Sequence, residues 1–84
     1  MSASGHIHLT ILTPEKTLLE KSVSKVSLPG SMGCFMILRN HAPLISSLEE
    51  GDIVYESDGT EEKVHVMSGF VEVLDNKVTA CVEL

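Results

Sequence analysis

Polar and apolar residues alternate along most of this chain with a period of two. Ile7, Leu9 and Ile11 alternate with His8 and Thr10, the mark of a half-buried strand. Thr13-Pro14-Glu15-Lys16 follows as a turn, with proline set for the first corner. Thr17 to Glu20 reads as a second strand. Val23 to Leu28 reads as a third, separated from the second at Ser22. Pro29-Gly30 stops that run and Gly33 opens the next. A fourth strand then lies near Phe35 to Leu38, and a short fifth covers Leu44 to Leu48.

Beyond Glu50-Gly51-Asp52 the rhythm continues. Ile53 to Glu56 is a sixth strand, and Ser57-Asp58-Gly59-Thr60 is a hairpin turn of the Asp-Gly kind. Glu62 to Met67 is a seventh strand, with Val64 and Val66 inward and Lys63 and His65 opposite. Ser68-Gly69 permits a kink or bulge. Phe70 to Leu74, the two-residue turn Asp75-Asn76, and Lys77 to Val82 complete nine strands. No apolar pattern of period 3.6 persists over three turns. Short strands with regularly spaced turn signals predict an all-β sandwich or barrel. The 84 residues form one domain, led in by a flexible stretch of about 1–6.

Composition narrows the function classes. The net charge of −6 argues against nucleic acid and against an electrostatic grip on anionic lipid. An acidic surface fits a basic protein partner better. The N-terminus lacks a secretory pattern, and no run approaches the ~20 apolar residues of a membrane span. Cys34 and Cys81 read as two reduced thiols.

Candidate chemistry is thin. His6 and His8 have a metal-ligand spacing on a strand. The acidic ligand of a cupin-type site is absent, because Leu12 and Thr13 stand there; alternation alone explains both histidines as outward residues. Neither Cys34 nor Ser31, Ser46 or Ser47 has the setting of a nucleophile. Pro29 to Gly33 lacks the lysine and the helix of a phosphate loop. A biotinyl or lipoyl carrier would place a lysine at a hairpin tip, commonly between methionines, and no lysine here has that setting. No catalytic, cofactor or metal residue is therefore expected.

The stretch Val26 to Gly51 organises the chain. Its polar knot Arg39-Asn40-His41-Ala42-Pro43 lies between two apolar runs. Pro43 holds Ala42 out of the helical region, and Asn40 either caps its own backbone or turns left-handed. His41 is thus presented on a stiff loop.

Pro29-Gly30, Gly33-Cys34-Phe35 and Asn40-His41-Ala42-Pro43-Leu44 stand in order between Thr13-Pro14-Glu15-Lys16 and Ser68-Gly69-Phe70-Val71-Glu72-Val73. This ordered set resembles the epsilon subunit of F-type ATP synthases, the equivalent of mitochondrial delta, over about Ile7 to Glu83. The resemblance implies a sandwich of two roughly five-stranded sheets. It implies a non-catalytic central-stalk subunit that links gamma to the c-ring, peripheral on the cytoplasmic face of the bacterial cell membrane. It places Thr13, His41, Ala42, Pro43 and Ser46 toward gamma. Arg39 stands where the family often has proline. The loop Gly30, Ser31, Met32, Gly33 and Cys34 would face the c-ring; members often carry an acidic residue there. Many bacterial members continue into two antiparallel helices that inhibit hydrolysis and in some cases bind ATP. This chain stops at Leu84, as a naturally short member or a truncated one, so a sandwich without the helical hairpin and without a nucleotide site is expected. The alternative reading is a small β-sandwich carrier or ligand-binding module.

Overall fold

The computed structural model describes residues 6–84, so the expected lead-in lies, apart from His6, outside the described residues. Nine strands follow one another: β1 (Ile7–Leu12), β2 (Thr17–Val23), β3 (Lys25–Gly30), β4 (Gly33–Ile37), β5 (Leu44–Leu48), β6 (Gly51–Ser57), β7 (Thr60–Val66), β8 (Ser68–Leu74) and β9 (Lys77–Glu83). Among the described residues there is no helix.

Hydrogen bonding runs β2-β1-β9-β8-β5-β3-β6-β7, with β4 added to β3. The path is continuous, yet its β5–β3 link is a single pair, Gly30 with Leu48. The sheet folds over at that joint into two layers, β2-β1-β9-β8-β5 and β4-β3-β6-β7. The expected two roughly five-stranded sheets are thus five and four strands. Every neighbouring pair is antiparallel except β1 and β9, which run parallel.

Alternation decides what fills the space between the layers. Ile7, Leu9 and Ile11 of β1, with Val78, Ala80 and Val82 of β9, face Val26 and Leu28 of β3 and Ile53 and Tyr55 of β6 in one core. No buried residue in it is charged, and no buried side-chain polar atom among the described residues lacks a partner. Each aliphatic side chain removed from water stabilises the fold by about 1.5–3 kcal/mol. Tyr55 is nearly buried; burial, and then the Glu62 charge paired with it across β7, push its phenol up from the usual value.

Two boundaries differ from the sequence pattern. The second and third strands separate at Ser24, not Ser22, because Ser22 pairs with His8 and keeps β2 going to Val23. Pro29 and Gly30 do not stop β3, which runs on to Gly30 and turns at Ser31-Met32. A proline survives inside this doubly flanked strand because nothing needs its missing N–H. Its carbonyl accepts the Glu49 N–H at 2.8 Å from the β5 side, away from β4. Gly30 is required at the end of β3: a Cβ there would fall 2.6 Å from the Phe35 ring and 2.8 Å from the Gly33 carbonyl oxygen, which is backbone.

Candidate functional site

Strand ends gather the candidate residues at two opposite ends of the molecule. Leu48, Gly69 and Val82 form one cross-strand row, and Phe70, Cys81 and Leu12 the next. The end beyond these rows therefore holds the Thr13–Lys16 turn, the Ser31-Met32 turn and the Glu49-Glu50 turn. The other end holds the Leu38–Pro43 loop, the Asp75-Asn76 turn and the start of β1.

His41 lies at this second end, exposed. Asn40 beside it takes the left-handed conformation, φ 67°. Its side chain does not cap its own backbone. Instead Asn40 N–H donates to Asn76 Oδ1 at 2.6 Å, and Asn76 Nδ2–H donates to Asn40 Oδ1 at 3.1 Å. Asn76 is itself left-handed, φ 62°, as the second residue of a tight hairpin turn, and its carbonyl accepts His8 N–H at 2.9 Å. The loop is thus tied to the β8–β9 turn and through it to β1. The stiffness expected from Pro43 is supplied as well by this amide pair. The His41 Nδ1–H donates to the Ala42 carbonyl at 2.7 Å, which fixes the tautomer and leaves Nε2 with no partner among the described residues. Ala42 and Pro43 are exposed beside it.

Thr13 sits at the far end of β1 from His41. Its Oγ and N–H both meet Lys16, closing the β1–β2 turn. It borders an open groove of about 320 Å³ lined by Leu12, Pro14, Gly69, Phe70, Cys81, Val82 and Glu83. Ser46 lies between the two ends. It pairs with Val71, and through Val71 and Ala80 aligns with Ile11, so it is half-buried on the inward face of its strand. Its neighbours Ile45, 74% exposed, and Ser47 point outward. Thr13, His41 and Ser46 therefore share the same five-stranded layer but do not converge on one spot. Sequence reading missed Ile45 and Phe70, which stand exposed on the outer surface of that layer. The signal was present in strict alternation: both belong to the out-facing set.

The Gly30–Cys34 turn lies at Thr13's end. Met32, 99% exposed, forms its tip. Ser31 Oγ is 2.6 Å from Ser47 Oγ, and Ser27 Oγ is 3.2 Å from the exposed Cys34 thiol. Acidic groups come from next door. Glu49 N–H is bonded to Pro29, which brings the Glu49-Glu50 turn against this hairpin. Glu50 reaches His65 Nε2 at 3.4 Å, while Asp52 meets His65 Nδ1 at 2.8 Å. These bonds, Asp52 first and Glu50 second, raise the imidazole above its usual pKa. Another outward histidine, His8, contacts Glu20 at 3.0 Å. Among the described residues no group of ligating side chains is arranged for a metal, and no helix is long and apolar enough to cross a membrane.

Comparison with known proteins agrees with this fold. A family profile described as the ATP synthase, Delta/Epsilon chain, beta-sandwich domain matches residues 6–83. The chain is 49% identical over 76 residues to the ATP synthase epsilon chain of Desulfitobacterium hafniense, covering 90% of itself and 58% of that relative. It is 43% identical over 77 residues to the epsilon chain of Nitratidesulfovibrio vulgaris, covering 92% and 58%. It thus spans less than two thirds of the length of these curated relatives. In three dimensions it is similar to a chain of the Euglena gracilis mitochondrial ATP synthase OSCP/F1/c-ring assembly (TM-score 0.88, 20% identity, 98% of this chain and 53% of that one). It is also similar to a chain of the Tetrahymena thermophila mitochondrial central stalk and c-ring (TM-score 0.77, 18% identity, 93% and 63%).

Proposed function

The chain belongs to the ATP synthase delta/epsilon family through its β-sandwich domain, and from that premise we propose that it serves as a non-catalytic subunit of the rotating central stalk. In this reading it joins gamma to the c-ring on the cytoplasmic face of a bacterial cell membrane. Ion flow through the ring turns the stalk, and catalysis takes place in other subunits. The observation that carries the reading is the family match across residues 6–83, on a sandwich whose loops project from two opposite ends. A close-packed core resists shear, so load applied at one end reaches the other with little loss.

The five-stranded layer meets gamma, with His41, Ala42 and Pro43 at one end and Thr13 at the other. Exposed Ile45 and Phe70 supply apolar area between them. Ser46, half-buried, supports that surface more than it contacts a partner. The Gly30–Cys34 hairpin meets the polar loops of the c-ring. Its tip carries Met32 and no acid, so Glu49 and Glu50 of the adjoining turn provide the negative charge for basic ring loops.

The test is reconstitution. The chain is co-expressed with gamma and the c-ring of the same organism and purified through a tag on gamma. Retention of the chain with gamma, and of the ring only when the chain is present, is the expected result. A chain that elutes apart from gamma overturns the reading.

A further inference from the structure

Four strand edges border the two layers among the described residues, and they are not alike: β2, β7, β4, and the side of β5 away from β8. The last carries no charge but is closed at its end by the Gly30–Leu48 pair and the bond from the Ser31 N–H to the Ser47 carbonyl. β2 and β7 each border the sheet and carry charges, Glu20 and Lys21 on one, Glu61, Glu62 and Lys63 on the other. Charged side chains along an edge keep a foreign strand from pairing there. The third edge, β4, reads Gly33-Cys34-Phe35-Met36-Ile37 and continues into Leu38 without a charge, proline or bulge.

Among the described residues β4 pairs only with β3, and its register settles which backbone groups stay open. Residue pairs in an antiparallel ladder alternate between bonded and non-bonded. The Pro29 carbonyl is turned to Glu49, so Pro29–Cys34 is a non-bonded pair. The N–H and C=O of Cys34, and by alternation those of Met36, point away from β3 to the open side. On the outer surface both side chains are exposed, Met36 at 50%. This edge therefore offers four unpaired backbone groups framed by apolar side chains.

Arg39, the chain's only arginine, follows two residues after β4. It is exposed and has no ion-pair partner among the described residues, in a protein of net charge −6. We infer that β4 is a docking edge that receives an extended segment of a partner protein, uncharged where it lies along Cys34–Met36 and bearing a carboxylate where it passes Arg39. Strand addition of this kind takes affinity from main-chain bonds and selectivity from flanking side chains. A second copy of the chain fits less well. Laid antiparallel on β4 it would present residues 30–38, which hold no carboxylate for Arg39, and it would bring together two acidic molecules.

The test uses the full chain and a capped octapeptide of alternating threonine and valine with aspartate at one end. Amide-resolved hydrogen exchange should slow at Cys34 and Met36 and stay unchanged on β2 and β7. Replacing the aspartate by lysine, or making Arg39→Glu, should weaken binding by about fivefold, the scale of an exposed ion pair. Met36→Pro should abolish protection, with thermal unfolding run alongside; Arg39→Glu, at an exposed site, carries the test if the proline variant does not fold. The inference is overturned if the peptide protects no β4 amide, if charge reversal changes nothing, or if those amides slow with protein concentration alone, which would mean a second copy. None of these outcomes depends on whether gamma or the c-ring binds.

Discussion

Asn40 and Asn76, 36 residues apart in sequence, hold each other by two hydrogen bonds of 2.6 and 3.1 Å. Both sit at positive φ, where asparagine is among the few side chains tolerated. One pair of amides thereby anchors the His41 loop and defines the β8–β9 turn. Replacing Asn76 by glycine keeps the turn conformation and removes the amide. Asn76→Gly should leave the sandwich folded, cost about 0.5–1.5 kcal/mol for the lost bonds, and speed amide exchange at Asn40 and His41. Exchange rates at those two positions, against unchanged rates in β8, check it.

Gly69 touches a different strand at close range. A Cβ at this position would collide with the Cys81 carbonyl oxygen and lie 3.0 Å from Val82 Cα, both backbone. Neither can yield without parting β8 from β9. Gly69→Ala should therefore destabilise by about 1–3 kcal/mol or more, as overpacking does. Gly33 gives the contrast. Its Cβ would meet nothing within 4 Å, and only its φ of 124° opposes a side chain, a strain of order 1–3 kcal/mol that an open turn can partly relax. Chemical denaturation of both variants should rank Gly69→Ala the lower.

What could be read from residues and what could not divides along physical lines. Alternation together with the turn signals exposed all nine strands, because a half-buried strand alternates and its ends need turn residues. It also gave the inward pair of β7, Val64 and Val66. The strand ends at Ser24 and Gly30 were hidden, since pairing partners fix them: Ser22 continues β2 only because His8 lies opposite. The parallel β1–β9 pair and the single Gly30–Leu48 joint are long-range facts with no local signature. His41 was legible from its neighbours Asn40 and Pro43. Asn76 was not, for its turn lacked the usual glycine and its partner was remote. That the length of β1 lies between Thr13 and His41 follows from register, which no local pattern shows.

His65 bridges two carboxylates, and its titration follows from that. Asp52 on β6 and Glu50 in the preceding turn accept from its two ring nitrogens, with Lys63 on the same side of β7 as the nearby opposing charge. Only the imidazolium can donate to both, so the pKa is raised. The contribution to stability is then present below the ordinary histidine value, about 6.5, and is lost as pH rises through the raised folded value. Asp52→Asn should bring the His65 pKa back toward the ordinary value and flatten that pH dependence. NMR titration of the four histidines measures it; an unchanged His65 in the variant would show that Asp52 does not hold the ring.

His41 carries the prediction tied to the proposed stalk role. The loop is fixed beforehand by Asn40, Asn76 and Pro43, so little further ordering is required when a partner docks. His41 is exposed, its Nδ1 committed to Ala42, and its Nε2 available. Truncating such a residue commonly costs about 1–2 kcal/mol or more at the centre of an interface and nearly nothing at its rim. His41→Ala should weaken binding to the cognate gamma subunit by that central amount while leaving thermal unfolding close to the parent. His8→Ala serves as the control. It removes the contact with Glu20, an exposed pair worth about 0–1 kcal/mol, and should change neither property much. The measurement is gamma affinity of the three proteins by titration calorimetry, beside their melting curves. If His41→Ala binds like the parent, or loses as much stability as affinity, the loop is a structural clasp. The gamma surface would then centre on exposed Ile45 and Phe70, and Ile45→Asp would be the variant that breaks it.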